Sequence, residues 1–243
     1  MSRCILVAEL ATNHGGDMTL AKEMITRAAA AGADIVKTQG YQMKHLRQSD
    51  PQYDWFTQSV LSDDQHRELI AHCGDLGVHY MSTGYTESDL RRLWRFGLRR
   101  VKIGSGEGYR LVGLALATFH EVYVSLAWGV PKESTFLNRP DPTVHVLATV
   151  PLYPAPVETY SRVSRCRGAG YSDHHIGLDV AKIAIARGAT VLEKHFQIDG
   201  RGRNQPWNMN AEGLAELKRW ADVCAQARDG TAFEGRWRES SSS

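Results

Sequence analysis

The chain has 243 residues, 42% of them hydrophobic and 23% charged, a composition ordinary for a globular protein and a length sufficient for one large core. A formal net charge of +2 gives no electrostatic footing for nucleic-acid or membrane-surface binding. No apolar run approaches the roughly 18 residues of a membrane span. The opening "MSRCILVAEL" is too short for a signal peptide, and Cys4, Cys73, Cys166 and Cys224 are scattered without a CxxC pair, which predicts reduced thiols in a cytoplasmic protein.

Short runs rich in Val, Ile and Leu alternate with helical patterns, the signature of βα units on a parallel sheet. The first predicted strand is "CILVAEL" (4–10), followed by a helix within "GDMTLAKEMITRAAAAGA" whose apolar residues Leu20, Met24, Ile25, Ala28 and Ala29 share a face and which stops at Gly32. "DIVKTQ" (34–39) is the second strand, and a long connection over 40–61 follows it. Ser62 predicts the N-cap of a helix that ends near Gly77, ahead of the third strand, "VHYMST" (78–83). The helix "ESDLRRLWRFG" leads to the fourth strand, "RVKIGS" (100–105), and "EVYVSLA" (121–127) is the fifth. A second long connection spans 128–143, then come the strands "HVLATV" (145–150) and "AGYSD" (169–173), the helix "DVAKIAIARGA", and the eighth strand "TVLEKHF" (190–196). The last helix, "NAEGLAELKRWADVCAQA", gives way to a Gly/Ser-rich end over 229–243 that is expected to be flexible. Eight strands with intervening helices over residues 1–228 predict a single (β/α)8 TIM barrel with no second domain.

A barrel gathers its active site at the C-terminal ends of its strands, and here nearly every strand ends in polar residues. Strand alternation puts Lys37 with Gln39, Ser172 with His174, and Glu193 with His195 on common inward faces. A lysine inside a barrel needs a charge partner, since burying an unpaired ammonium costs several kcal/mol or shifts its pKa. Each alone fits an interior ion pair, Lys37 with Glu9 or Lys102 with Glu193. As a set with the hydroxyls of Ser105, Ser125 and Ser172 and the amides of "IGSGEG", the lysines fit a bound phosphate better. The seventh and eighth strands are neighbours, so His174 and His195 can share a divalent cation with positions left for water and substrate. His175 points the other way and reads as a packing or capping residue at the start of the next helix, and Asp173 as a residue that fixes the loop from the outer face.

The segments "AELATNHGGD", "DIVKTQ", "MSTGY", "VKIGSGE", "LYPAP", "GYSDHHIG" and "GATVLEKHF", in this order over roughly residues 5–198, resemble the barrel domain of the sialic acid synthase family. The resemblance implies condensation of phosphoenolpyruvate with an aldose or aldehyde acceptor to give a 3-deoxy-2-ulosonic acid and phosphate. It implies Lys37 and Thr83 on the donor carboxylate; Lys102, Ser105, Ser125 and Ser172 on its phosphate; His174 and His195 on Mn²⁺ or Mg²⁺; and Glu193 as acid/base. Glu9, Gln39 and Tyr153 would lie near the reacting centre or the acceptor, with Glu9 and Lys37 counted among the catalytic groups.

The chain departs from the family where Pro151 replaces a polar residue, where "SLAW" replaces "STGM", and after "EKHF", where Trp207 stands instead of an acid. From these changes Leu126 and Trp128 are expected to narrow the pocket, and the acceptor is expected to differ from the usual N-acetylmannosamine-type sugar, with Trp207 or Trp128 stacking on it. The antifreeze-like domain that usually follows the barrel is not expected here, which leaves a homodimer open but removes one family reason for it. The alternatives are a repurposed barrel acting as an aldolase, lyase or phosphate-ester hydrolase on the same anion and metal site, or a non-catalytic metabolite-binding barrel.

Overall fold

The computed structural model describes residues 3–128, 144–163 and 169–229. Eight parallel strands close in sequence order into a barrel: β1 (Ile5–Ala11), β2 (Ile35–Gln39), β3 (His79–Thr83), β4 (Arg100–Ile103), β5 (Glu121–Ala127), β6 (Val144–Thr149), β7 (Gly170–Asp173) and β8 (Val191–His195). Each lies within two residues of its predicted span.

The helices are α1 (Met18–Ala30), α2 (Tyr53–Gln58), α3 (Asp63–Asp75), α4 (Glu87–Arg95), α5 (Gly108–Thr118), α6 (Tyr160–Val163), α7 (Asp179–Ala186) and α8 (Ala211–Asp229). The starts of three of them, α1, α3 and α4, follow from capping chemistry. Asp17 accepts from the backbone N–H groups of Thr19 and Leu20 at α1, and Ser62 and Gln65 cap each other reciprocally at α3. Thr86 and Asp89 do the same at α4, and the buried Asp89 also accepts from Gln42 Nε2 at 2.7 Å, tying the connection after β2 to this helix.

Two apolar layers result from the alternation of strand side chains. Outside, α1 buries Leu20, Ala21, Met24, Ile25 and Ala28 against the barrel wall, each large side chain contributing about 1.5–3 kcal/mol. Inside, Val7, Ile35, Met81, Tyr123, Leu147 and Val191 form a separate cluster that plugs the barrel below the polar strand ends.

Three features differ from the sequence reading. Helix α5 was not expected; Arg110 is its one charged residue and its N-cap residue Glu107 makes no side-chain cap bond, so neither a polar stripe nor a cap marks it. The connection 40–61 carries a 3-10 turn at Met43–His45 and the short α2, too brief for a periodic pattern. Of the two roles expected for His175, packing is realised, since it is buried behind the sheet with Asp173 and Lys194, and capping is not, because α7 begins at Asp179. Apart from Trp128, the connection 128–143 lies outside the described residues, as do Cys166 and the tail beyond 229. No helix among the described residues is long and apolar enough to cross a membrane.

Candidate active site

The C-terminal strand ends surround a cavity of about 220 Å³ lined by all twelve residues singled out from the sequence: Glu9, Lys37, Gln39, Thr83, Lys102, Ser105, Ser125, Tyr153, Ser172, His174, Glu193 and His195. Parallel register explains the gathering. Glu9 lies opposite Lys37 and His195, Gln39 opposite Thr83, Thr83 opposite Lys102, and Ser172 opposite Glu193. The apolar cluster inside the barrel closes the cavity from below.

Two lysines and two carboxylates occupy its depth, and their formal charges cancel. Lys37 pairs with Glu9 and donates to Thr83 Oγ1 at 3.0 Å. Lys102 donates to both oxygens of Glu193, at 2.7 and 2.9 Å, and Ser172 Oγ donates to Glu193 Oε1 at 2.9 Å. Lys37 Nζ also stands 3.8 Å from Glu193 Oε2, so Glu193 faces both ammonium groups. Burial alone would push the Glu193 carboxyl up, but Lys102 and Lys37 outweigh it and hold the group well below the usual carboxylate range. Glu9 goes the other way: burial raises its pKa more than Lys37 lowers it. Burial likewise outweighs Glu193 at Lys102 and lowers that ammonium's pKa. Both interior ion pairs that the sequence allowed are therefore formed.

The remaining polar groups are less engaged. Ser125 Oγ is buried without a hydrogen-bond partner, an arrangement that costs about 1–3 kcal/mol unless something else satisfies it. Ser105 lies on the Gly104–Glu107 loop, which opens on the cavity and runs straight into the N-terminus of α5, where backbone N–H groups favour an anion.

His174 and His195 sit side by side, ring centroids 5.6 Å apart. Nδ1 of His174 lies 2.9 Å from the carbonyl oxygen of Val150, so the ring carries its proton there and leaves Nε2 as a lone pair. Burial pushes its pKa down to about 4, and burial followed by the neighbouring His174 and Lys37 pushes His195 well below the usual range. Both rings are thus neutral near pH 7, the form that ligates a metal. The donor set fits a divalent cation held by two imidazoles. Among the described residues no group of three or more His, Cys, Asp or Glu is placed to close around an ion, so water and substrate oxygens would fill the other positions.

Tyr153 is 52% exposed at the mouth, its ring tilted over His174 at 4.0 Å and edge-on to Trp207 at 5.7 Å. The expected narrowing by Leu126 and Trp128 is not found. Ser125 faces the cavity, so alternation turns Leu126 outward against the helix layer. Trp128 is 43% exposed with the Arg162 guanidinium over its ring, and it does not line the cavity; neither does Trp207. Tyr85, Glu107 and Thr149 line it although the sequence reading gives them no role. Tyr85 was legible, two residues beyond Thr83, and Thr149 closes a strand as Thr83 does.

The fold and the site define a (β/α)8 barrel with a buried, charge-balanced polar pocket beside a pair of neutral imidazoles. The chain belongs to the NeuB family, whose pattern matches residues 24–231. An N,N'-diacetyllegionaminic acid synthase of Legionella pneumophila is 29% identical over 232 residues, which cover 81% of this chain and 64% of that protein. A human N-acetylneuraminate-9-phosphate synthase is 26% identical over 89% of this chain and 68% of its own length. The chain thus spans about two thirds of the curated relatives it matches. In fold it resembles the crystal structure of an N-acetylneuraminic acid synthetase from Leptospira borgpetersenii, with a TM-score of 0.79 and 23% identity over 93% of this chain and 85% of that one.

Proposed function

We infer that the protein condenses phosphoenolpyruvate with an aldose or aldehyde acceptor and water, giving a 3-deoxy-2-ulosonic acid and inorganic phosphate, with a divalent cation, Mn²⁺ or Mg²⁺, on His174 and His195. The observation that carries this reading is the convergence of two buried lysines, the unpartnered Ser125 hydroxyl and two neutral imidazoles on one cavity. Relatives named as synthases of legionaminic acid and of N-acetylneuraminate 9-phosphate support it.

In this reading Lys37 and Thr83 hold the donor carboxylate, and Lys102, Ser105, Ser125 and Ser172 take its phosphate. Bound metal would supply Lewis acidity to the acceptor carbonyl. The donor methylene carbon adds to that carbonyl carbon, a water oxygen adds at the donor's C2, and the C–O bond to phosphate breaks. Lys102 and the serines then face the charge that grows on the departing phosphate. Glu193 moves the protons of the alkoxide and the water. Glu9, Gln39 and Tyr153 lie on the acceptor side, where the tyrosine ring is the exposed wall.

Charge balance supports a cation requirement. The four buried charges sum to zero, so a multiply anionic donor arrives without net attraction unless a dication accompanies it. The test is phosphate release from phosphoenolpyruvate with Mn²⁺ and a panel of aldoses. Release that needs both the cation and an acceptor is expected. Release without any acceptor would replace condensation by hydrolysis, and no release with any acceptor would remove the enzyme reading.

A further inference from the structure

The ladder between β7 and β8 ends at the rung Asp173–Lys194, one residue short of His174. His174 therefore stands just past the last β7–β8 pairing, yet its ring must hold a fixed distance from His195. The outer face of the sheet supplies what the ladder does not. Asp173 and Lys194 point away from the cavity and are 0% and 1% exposed. Lys194 Nζ donates to Asp173 Oδ2 at 2.7 Å, and it also reaches past His174 to donate to the carbonyl oxygen of His175 at 2.7 Å. Asp173 Oδ1 accepts from the backbone N–H of His175 at 3.1 Å and lies 2.7 Å from its Nδ1. On the far side, the backbone N–H of Ala155 donates to the carbonyl oxygen of His174 at 3.0 Å. The residues before and after His174 are thus both tied to Lys194, which itself directly precedes His195.

We propose that Asp173 and Lys194 are positioning residues that fix the spacing of His174 and His195 through a buried clamp on the opposite face of the sheet. The inference rests on the reading of those two histidines as metal ligands. A fully buried ion pair is weak support for stability, since replacing both partners by neutral groups of similar volume is often harmless, whereas removing one is not. Within this clamp the pair has a geometric task, and the two effects separate experimentally.

Mn²⁺ binding, read by calorimetry and by the electron paramagnetic resonance of the free ion, is measured for the wild type, Asp173→Asn, Lys194→Met, the double variant, and Leu69→Ala. Leu69 lies on the buried face of α3, away from the site, so its variant loses stability without touching the clamp. Loss of groups that orient metal ligands typically weakens metal affinity about 10–100-fold. About tenfold is expected here, because the clamp acts through backbone. The double variant is expected to keep a melting temperature near the wild type's and still bind Mn²⁺ about tenfold more weakly, while Leu69→Ala melts lower and binds normally. Mn²⁺ affinity in the double variant equal to the wild type's, or affinity that follows melting temperature across the set including Leu69→Ala, would overturn the positioning role and leave the metal reading standing. A wild type that does not bind Mn²⁺ would overturn the metal reading and the clamp with it. Single variants that fail to fold leave the double variant, with no unpaired buried charge, to decide.

Discussion

Replacing Glu193 by Gln separates two roles of one carboxylate. In the unliganded site Glu193 takes two bonds from Lys102, at 2.7 and 2.9 Å, and a third from Ser172. A phosphate on Lys102 has to take these donors from the carboxylate. Hydrogen bonds to charged groups are worth about 1.5–3 kcal/mol each in proteins, so exchanging this charged competitor for a neutral amide is expected to tighten phosphoenolpyruvate binding about 10–100-fold. The buried set of two lysines and two carboxylates passes from neutral to +1, which acts in the same direction. Turnover moves the opposite way, falling about 10²–10⁴-fold with the loss of the proton-transfer group. Breaking a buried pair costs about 3–5 kcal/mol. Gln retains an acceptor for Ser172, so the low end applies, and at about 2–4 °C per kcal/mol for a chain of this size the melting temperature drops by about 6–12 °C. Phosphoenolpyruvate should restore more of that drop than it adds to the wild type. Isothermal titration gives the affinity, steady-state phosphate release the turnover, and calorimetry the melting temperature. Weaker donor binding in the variant would refute the competition between Glu193 and phosphate for Lys102, and turnover within threefold of the wild type would refute the proton role.

Ser125→Ala removes a buried hydroxyl that has no partner. It is expected to leave the urea midpoint unchanged or raised while weakening donor binding by about 1 kcal/mol or more, visible as a KM increase for phosphoenolpyruvate of about fivefold or more; an unchanged KM would take Ser125 out of the donor site. Burial holds His14 and His174 down to about 4 and His66 down to about 3 in the folded chain, against an ordinary value of 6.5. The unfolded chain then binds more protons below pH 6.5, so stability falls as pH drops through the window from 6.5 to about 4. At pH 5 each histidine accounts for about 2 kcal/mol relative to pH 7, and urea midpoints that are flat between those two values would contradict the neutral burial. Gly202 has a φ of +63° and a side chain there would meet the carbonyl oxygen of Asn13, the same oxygen that accepts from the backbone N–H of Arg203. Gly202→Ala is therefore expected to cost about 1–3 kcal/mol of unfolding free energy, checked by urea titration.

The barrel and its site were legible for different reasons. Strand apolarity and glycine stops located the eight strands, and strand parity then decided correctly that Ser172, His174, Glu193 and His195 look inward and Asp173 and His175 outward. Parity also held the answer for Leu126, which was expected in the pocket because "SLAW" stands where the family has "STGM", without regard to alternation. Contacts across the barrel were legible only as options. Lys102 and Glu193 are 91 residues apart, and nothing in spacing tells a lysine committed to a carboxylate from one free for phosphate. Helix α5 escaped because "GYRLVGLALAT" has neither a polar stripe nor a capping bond to mark it. The clamp of Lys194 on the His175 carbonyl depends on where a long side chain ends, which no pattern of residue types encodes.

The apolar plug of Val7, Ile35, Met81, Tyr123, Leu147 and Val191 has a kinetic consequence. In a chamber closed at the bottom, whatever fills the space near the mouth shuts in whatever lies beneath. Lys102, Ser125 and Ser172, each under 5% exposed, are the lower berth, and the half-exposed Tyr153 stands at the mouth. If the proposed reading holds, the phosphate-bearing donor has to board before the acceptor, and an acceptor lodged early against Tyr153 would be an obstruction that its own excess makes worse.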